Sequence, residues 1–372
     1  MSLSVESESA LAAAAPKSQL VQLKHGRASV AVMRDQWFIA AMSSELKSKP
    51  LATKLYGTPL VLFRDKEGKA GALVDRCPHR NVPLSLGQVT DDGNLRCPYH
   101  GWQFDRAGAC KHIPSLASES EAKARRALSL PTIEQQGFIW VYASTEPDCV
   151  PNKKPHEFGL LGKAGYSTVT QVVEAKGTMF STIENALDVP HTAFLHRGLF
   201  RSESRGLHIT AKVQRSKDRV IAEYVGEPRP TGLIARILSP SGGIVTHFDR
   251  FIMPSVAQVE YSIGTENHFI ADSIATPLDD FHTRIYAVVS FRSRLPHFLI
   301  RPFVKPLALR VFNQDAIILE RQTELIEAFG GEQFASTEID VLGKHIWRLM
   351  RTAERGGEAL VEDEANEVTL IV

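Results

Sequence analysis

Cys77-Pro78-His79 and, after 17 intervening residues, Cys97-Pro98-Tyr99-His100 each offer one thiolate and one imidazole within three or four residues. That is the reach needed to grip one metal centre from a tight loop, and two such loops can close over a cluster. Thiolates suit the iron of a [2Fe–2S] unit, and replacing two of its four cysteines by histidines on one iron raises the reduction potential. A Cys2His2 structural zinc site uses the same donor types. Zinc pairs commonly take both cysteines from one loop and both histidines from the other, whereas here each loop is mixed. Gly101 and Trp102 also follow the second loop directly, as though backbone passes close to a sulfur-rich cluster. The pattern favours iron–sulfur over zinc.

A second constellation runs from Glu184 to His196, with Asn185, Asp188 and His191 between them. His191 and His196 are five apart, about 140° around a regular helix, so an undistorted helix would splay them. Pro190 removes a backbone donor and disfavours helix in Val189, which gives the chain a reason to bend just before His191. Such a bend lets both imidazoles converge; the plainer reading is a helix end with incidental histidines. A carboxylate would complete a two-histidine, one-carboxylate set, which leaves faces of Fe(II) open for oxygen chemistry. Asp315 is the best candidate. On a helix expected over 313–329, positions 315, 318, 319, 322, 325, 326 and 329 form one stripe reading Asp, Ile, Leu, Gln, Leu, Ile, Phe. A carboxylate at the head of an apolar stripe is costly to bury unless paired or bound to metal, although one at a helix N-terminus can be satisfied by backbone N–H groups.

The first motif, set in CPHRNVPLSLG and CPYHGWQFDRAGAC, closely resembles the Rieske domain of aromatic-ring-hydroxylating oxygenases over most of residues 37–144. Respiratory and photosynthetic Rieske proteins resemble a different pattern, with an extra cysteine after each ligand pair; here those neighbourhoods hold Asn81-Val82 and Tyr99. Cys110 and Cys149 lie elsewhere and read as ordinary residues. The second motif, with Gln314-Asp315, is similar to the mononuclear-iron motif of the same oxygenases, so the likeness covers roughly residues 37–330. It implies Cys77, His79, Cys97 and His100 as ligands of one [2Fe–2S] cluster per chain, and His191, His196 and Asp315 as ligands of one mononuclear Fe(II). It also implies Asp188 as the bridge to a neighbouring subunit's Rieske histidine and Asn185 as a polar residue near the iron. The activity implied is that of a terminal oxygenase consuming O2, with electrons from NAD(P)H through a separate ferredoxin or flavin reductase. No Gly-rich dinucleotide fingerprint is present to bind the nucleotide directly. The likeness further implies a homotrimer. Chains built from one subunit type are often monooxygenases or demethylases. The competing readings are an electron-transfer protein, which leaves the second constellation without use, and a structural zinc protein.

These residues must be carried by a chain of 372 residues, 43% apolar and 23% charged, long enough for two domains. With 43 Lys+Arg against 42 Asp+Glu, no overall field draws it to nucleic acid. Four cysteines make no disulfide scaffold, no apolar run reaches about 18 residues, and no signal peptide is evident, so a soluble cytoplasmic protein is expected. Residues 1–18 read as a loose tail, 19–150 as an all-β [2Fe–2S] domain, 151–353 as an α+β catalytic domain and 354–372 as an acidic tail with a strand near 368–372. The fold class is α+β, with an antiparallel sheet in the second domain. Strands are expected at 59–63, 72–74, 138–142, 256–263, 268–275 and 283–291, with a hairpin over 209–225 that turns at 216–218. Helices are expected near 178–196 and 313–329, the latter closed by Gly330-Gly331. The run 293–312 is apolar and basic. It reads as a packed connection into the Asp315 helix, or as an apolar entrance or peripheral membrane contact. Apolar residues at Ile252, Val256, Val259, Ile263 and Phe269 suggest a pocket for a neutral hydrophobic substrate, steroid-like or aromatic.

Overall fold

The computed structural model describes residues 28–117, 125–144, 146, 149–197, 208–227, 245–264, 267–292, 297–356 and 364–371. The expected tail at 1–18 lies outside them. The first half builds three small sheets from eleven strands: β1 Trp37–Met42, β2 Leu51–Leu55, β3 Thr58–Arg64, β4 Ala70–Val74, β5 Gln88–Val89, β6 Leu95–Arg96, β7 Gln103–Phe104, β8 Cys110–His112, β9 Ser129–Leu130, β10 Thr132–Gln135 and β11 Phe138–Tyr142. Their orders are β1-β11-β10, β2-β3-β4-β9 and β5-β6-β7-β8. Strand β11 reads Phe-Ile-Trp-Val-Tyr without a polar residue because both of its faces are covered. Ile139 and Val141 join one apolar cluster with Phe38 and Leu62, while Phe138, Trp140 and Tyr142 join another with Val256, Ile274 and Tyr286 of the second half. Side chains of successive strand residues point to opposite faces, so one strand ties the two halves into shared cores.

The second half is one antiparallel sheet of eight strands: β12 Ser167–Lys176, β13 His208–Arg215, β14 Arg219–Val225, β15 Val245–Ile252, β16 Val256–Ile263, β17 Asn267–Pro277, β18 His282–Arg292 and β19 Glu364–Ile371. The order is β12-β18-β17-β16-β15-β14-β13-β19. Among the described residues three α-helices accompany it, α1 Met179–Ala186, α2 His297–Ala328 and α3 Gly343–Glu354. Thr178 caps α1 by accepting from Ser181 N, and Ile183 packs inward. Strand β19 alters the expected acidic tail: residues 364–371 pair along their whole length with β13. Its Leu370 is buried while Glu367 and Thr369 face out, the alternation that an edge strand requires.

Helix α2 also departs from expectation. It starts at His297, 16 residues before the expected position, and runs through Pro302 and Pro306. Prolines inside a helix typically cost about 3 kcal/mol each, the reason to expect a break there. Gly330, at φ +73, closes the helix as expected, with Gly331 N donating to Ile326 O at 2.8 Å. The apolar stripe is divided. Leu319 and Ile326 are buried, but Ile318, Leu325 and Phe329 are exposed. Among the described residues no helix is long and apolar enough to cross a membrane.

Candidate metal centres

The two cysteine-bearing loops are built alike. In the first, Cys77 N donates to Val82 O and Asn81 N to Cys77 O, both at 2.9 Å. In the second, between β6 and β7, Cys97 N donates to Trp102 O at 2.8 Å and Gly101 N to Cys97 O at 3.2 Å. Four residues after each cysteine stands a left-handed residue, Asn81 at φ 60 and Gly101 at φ 71. Gly101 is needed for a second reason: a Cβ there would lie 2.9 Å from Pro114 Cγ. The close approach inferred for Gly101 is therefore to Pro114.

The loops bring like groups together. Cys77 and Cys97 are buried, and the two thiols influence each other's ionisation. Burial first, and then the Cys97 thiol, push the Cys77 thiol up to about 11, against backbone N–H groups of His79 and Arg80 that lower it. The imidazoles of His79 and His100 lie together towards solvent, ring centroids 4.5 Å apart, with Trp102 stacked on His79 at 4.8 Å and 4°. His79 Nδ1 is buried and has no hydrogen-bond partner. Two thiols inside, two imidazoles outside and one unsatisfied ring nitrogen fit a binuclear cluster with sulfur on one iron and nitrogen on the other.

The second constellation is held between α1, α2 and a bend. α1 ends at Ala186, and a separate 3-10 turn over Pro190–Ala193 carries His191. The bend expected at Pro190 is present. It brings His191 Nε2 to 3.2 Å from His196 Nε2. Asp315 Oδ1, from α2, lies 3.1 Å from His196 Nε2 and 3.6 Å from His191 Nε2. Ligand atoms about 2.1 Å from a common ion and at right angles would be about 3.0 Å apart, so three edges of this size suit one face of a coordination shell. Among the described residues, these three are the group of ligand-type side chains whose donor atoms all lie within 4.8 Å of one another.

Neighbours orient these side chains. His196 Nδ1 lies 3.0 Å from Gln314 Oε1, and donation there leaves Nε2 with its lone pair facing the centre. His191 Nδ1 lies 3.4 Å from Asp188 Oδ2, which also accepts from His191 N at 3.3 Å. Burial opposes charge on His191, but the Asp188 and Asp315 carboxylates outweigh it and raise the imidazole to about 9. Burial likewise opposes ionisation of Asp315, and the two histidines overcome it, holding the carboxyl below its usual range. Glu184 is pushed up to about 7 by burial first and then by Asp188 and Asp340.

The three ligand-type residues open onto a cavity of about 240 Å³ whose wall also includes Asn185 and Asp188. Val259, Ile263 and Phe269 line it as expected, whereas Val256 and Ile252 pack in the cluster shared with the first half. From the run 293–312, Leu307, Ala308, Val311 and Phe312 line the cavity. Sequence reasoning missed three further lining residues, Glu227, His247 and Asp249. The available signal was His247-Phe248-Asp249 on β15, because two ionisable residues at i and i+2 of a strand share one face.

Two comparisons by sequence and one by structure place this geometry among known proteins. Residues 36–134 match the Rieske [2Fe-2S] domain, and residues 178–355 match the vanillate O-demethylase oxygenase C-terminal domain. The 3-chlorobenzoate-3,4-dioxygenase oxygenase subunit of Comamonas testosteroni is 30% identical over 280 residues, 72% of this chain and 61% of that one. The oxygenase component of dicamba O-demethylase from Stenotrophomonas maltophilia is 34% identical over 169 residues, 44% of this chain and 48% of that one. Chlorophyllide a oxygenase of Chlamydomonas reinhardtii is 27% identical over 345 residues, 91% of this chain and 51% of that one. The chain thus spans about half to three-fifths of the length of these relatives. The crystal structure of dicamba monooxygenase bound to dicamba shares the fold, with a TM-score of 0.73 at 24% identity over 88% of this chain and 98% of that one. A Rieske domain followed, on one chain, by the vanillate-demethylase type of oxygenase domain defines a lineage, and the chain belongs to it: the Rieske non-heme iron oxygenases, the alpha-subunit family of the ring-hydroxylating enzymes.

Proposed function

We propose that the chain is the terminal oxygenase component of a Rieske system, oxidising a neutral apolar substrate by hydroxylation or oxidative demethylation. The observation that carries this reading is the convergence of His191, His196 and Asp315 at the mouth of an apolar cavity. Cys77, Cys97, His79 and His100 would hold the cluster, and His191, His196 and Asp315 the mononuclear iron. When bound, these groups supply one-electron storage and O2-dependent oxidation of a C–H bond or a methyl substituent.

The protein's own side chains have distinct tasks. Gln314 fixes the His196 ring through Nδ1, while Asp188 accepts from His191 N and sets its carboxylate 3.4 Å from His191 Nδ1. Asp188 keeps 30% of its side chain exposed, which supports a contact with a histidine of a neighbouring subunit. Asn185 presents a polar end to the cavity beside the ligands. Val259, Phe269, Leu307 and Phe312 exclude water and hold the substrate by contact area. The relative from Comamonas carries chlorobenzoate, a carboxylate, in its name. In this chain none of the described lining residues is Lys or Arg, which supports a neutral substrate.

The working assembly is a homotrimer fed from NAD(P)H by a separate ferredoxin or flavin reductase in the cytoplasm. Exposed Tyr99, beside His100, and exposed Phe194, between His191 and His196 in the chain, supply apolar area for such contacts. An electron-transfer role alone would leave the second site and its cavity without a task. The test is a single turnover of the reduced, iron-loaded protein with 18O-labelled O2, offering steroid alcohols and aryl methyl ethers. Product bearing the label, or formaldehyde from a methyl ether, supports the reading. Complete re-oxidation of the cluster with neither product from either class overturns it.

A further inference from the structure

The two imidazoles of the cluster site stand in unlike surroundings. His100 is exposed, and its neighbour Tyr99, 62% exposed, is tilted 45° to it at a centroid distance of 3.8 Å. His79 is half-buried beside Trp102, whose indole lies 4.8 Å away and within 4° of parallel. Tyr99 touches the histidine of its own loop. Trp102 follows the second loop and stacks on the histidine of the first.

Short-range features of the chain put Trp102 there. Gly101 takes the left-handed conformation, φ 71, and turns the backbone directly after His100. Trp102 O then accepts from Cys97 N at 2.8 Å, which ties the indole-bearing residue to a cysteine of the site. Trp102 packs against the apolar group that contains Phe63, Leu84 and Phe104, with the Phe104 ring 6.4 Å away and inclined at 38°. A side chain held by that core on one side and by His79 on another has little room to turn.

A flat contact on one face does two things for His79. The lone pair of an imidazole nitrogen lies in the ring plane, and Nδ1 is the buried atom of this ring without a hydrogen-bond partner. A ring kept parallel to Trp102 keeps that lone pair on a fixed line, because rotation about the Cβ–Cγ bond would break the stack. The indole also excludes water from the covered face and turns the negative face of its π system towards it. Two sulfides and two thiolates balance two ferric irons. One-electron reduction of a cluster with neutral imidazoles therefore goes from no net charge to a single negative charge. Exclusion of water and a negative ring face both disfavour that added charge.

We propose that Trp102 is a positioning residue for the cluster: it sets the plane of His79 and holds the reduction potential below that of a cluster with an uncovered imidazole. The role rests on Cys77, His79, Cys97 and His100 being the cluster ligands, and it falls to a side chain that binds no metal. A lower potential makes the reduced cluster a stronger donor to the second site.

Redox titration of the cluster-loaded protein at pH 7, with electron paramagnetic resonance of the reduced form, tests this without turnover. Trp102→Leu keeps an apolar side chain and removes the stack, and Trp102→Phe keeps a ring. In Trp102→Leu reduction should be at least threefold more favourable than in the wild type, a rise of about 28 mV at about 59 mV per tenfold for one electron. The g-values should also spread. Trp102→Phe should recover at least half of the shift and the wild-type g-values. A leucine variant with wild-type potential and g-values overturns the proposal, and so do equal shifts in the two variants. Should the leucine variant fail to assemble a cluster, 5-fluorotryptophan incorporation keeps the shape of the indole and weakens its negative face. The potential should then rise in the wild-type sequence and stay in place in Trp102→Phe, whose other tryptophans, Trp37, Trp140 and Trp347, belong to other apolar groups. An equal response in both overturns the proposal. A wild-type protein without a Rieske spectrum removes the ligand assignment and the proposal together; a wild-type Rieske spectrum with an unmoved leucine variant removes the proposal alone.

Discussion

Replacing Gly101 by alanine should loosen the second cluster loop, and the cost can be worked from two contributions. Gly101 sits at φ 71, where a residue with a side chain costs roughly 1–2 kcal/mol. The added Cβ would lie 2.9 Å from Pro114 Cγ. That is roughly 0.6 Å inside ordinary carbon–carbon contact. A proline ring has no rotamer that clears the space, and overpacking of this kind typically costs about 1–3 kcal/mol. Together the two give about 2–5 kcal/mol, a large share of the roughly 5–15 kcal/mol that holds a domain folded. Asn81 supplies the internal control. It occupies the same place in the first loop at φ 60, so Asn81→Gly keeps the conformation accessible and should change stability by no more than about 1 kcal/mol. The assay is thermal unfolding of the cluster-loaded protein, followed by the cluster's visible absorption and by far-ultraviolet circular dichroism. The midpoint should fall by roughly 5–15 °C in Gly101→Ala and by no more than about 3 °C in Asn81→Gly. A Gly101→Ala protein that keeps its cluster to the wild-type temperature, or equal losses in both variants, would refute the reasoning.

Cys97→Ser should abolish the visible iron–sulfur absorption and destabilise the first half, because cluster binding and folding are coupled there; full retention of the spectrum contradicts the ligand assignment. Asp188→Asn should keep both metals, by iron analysis and by the cluster spectrum, yet slow re-oxidation of the cluster during a single turnover; wild-type re-oxidation would remove Asp188 from the electron route. His345 is buried, with its Nδ1 3.1 Å from Arg215 Nη1, and burial lowers its pKa to about 4. Between pH 6.5 and 4 the unfolded chain therefore binds a proton that the folded one refuses, so stability is fully present above about pH 6.5 and declines as pH falls towards 4, by up to about 3 kcal/mol. His345→Gln should flatten that part of the thermal-midpoint profile, and an unchanged acid slope counts against the assignment.

The clustering of the ligand-type residues was legible because its signals are local. Cys77-x-His79 and Cys97-x-x-His100 sit in tight turns whose spacing alone limits what they can grip, and Pro190 marks the bend that makes His191 and His196 converge. Strand β11 was legible from composition, being apolar on both faces. What stayed hidden depends on partners distant in sequence. Strand β15 reads Val-Thr-His-Phe-Asp-Arg-Phe-Ile, and its inward His247 and Asp249 look like surface residues until Glu227 and the two flanking tyrosines are placed against them. The sequence points to a strand near 368–372, but the pairing of 364–367 along β13 and the ion pair of Glu364 with buried Arg215 depend on residues distant in sequence. In α2 the prolines argue for a break, yet the helix runs through them, and its stripe is divided between buried Leu319 and exposed Leu325.

The central claim is that His191, His196 and Asp315 hold an iron with an open face on the substrate cavity. Nitric oxide, a surrogate for O2, can be added anaerobically to the reduced, iron-loaded protein and the electron paramagnetic resonance recorded, with iron counted per chain. The wild-type protein should carry about three irons and show a high-spin iron–nitrosyl signal beside that of the reduced cluster; Asp315→Ala should fall to about two irons, lose the nitrosyl signal and keep the cluster signal. A wild-type protein with no nitrosyl signal at three irons per chain, or an Asp315→Ala variant that retains it, would contradict the account.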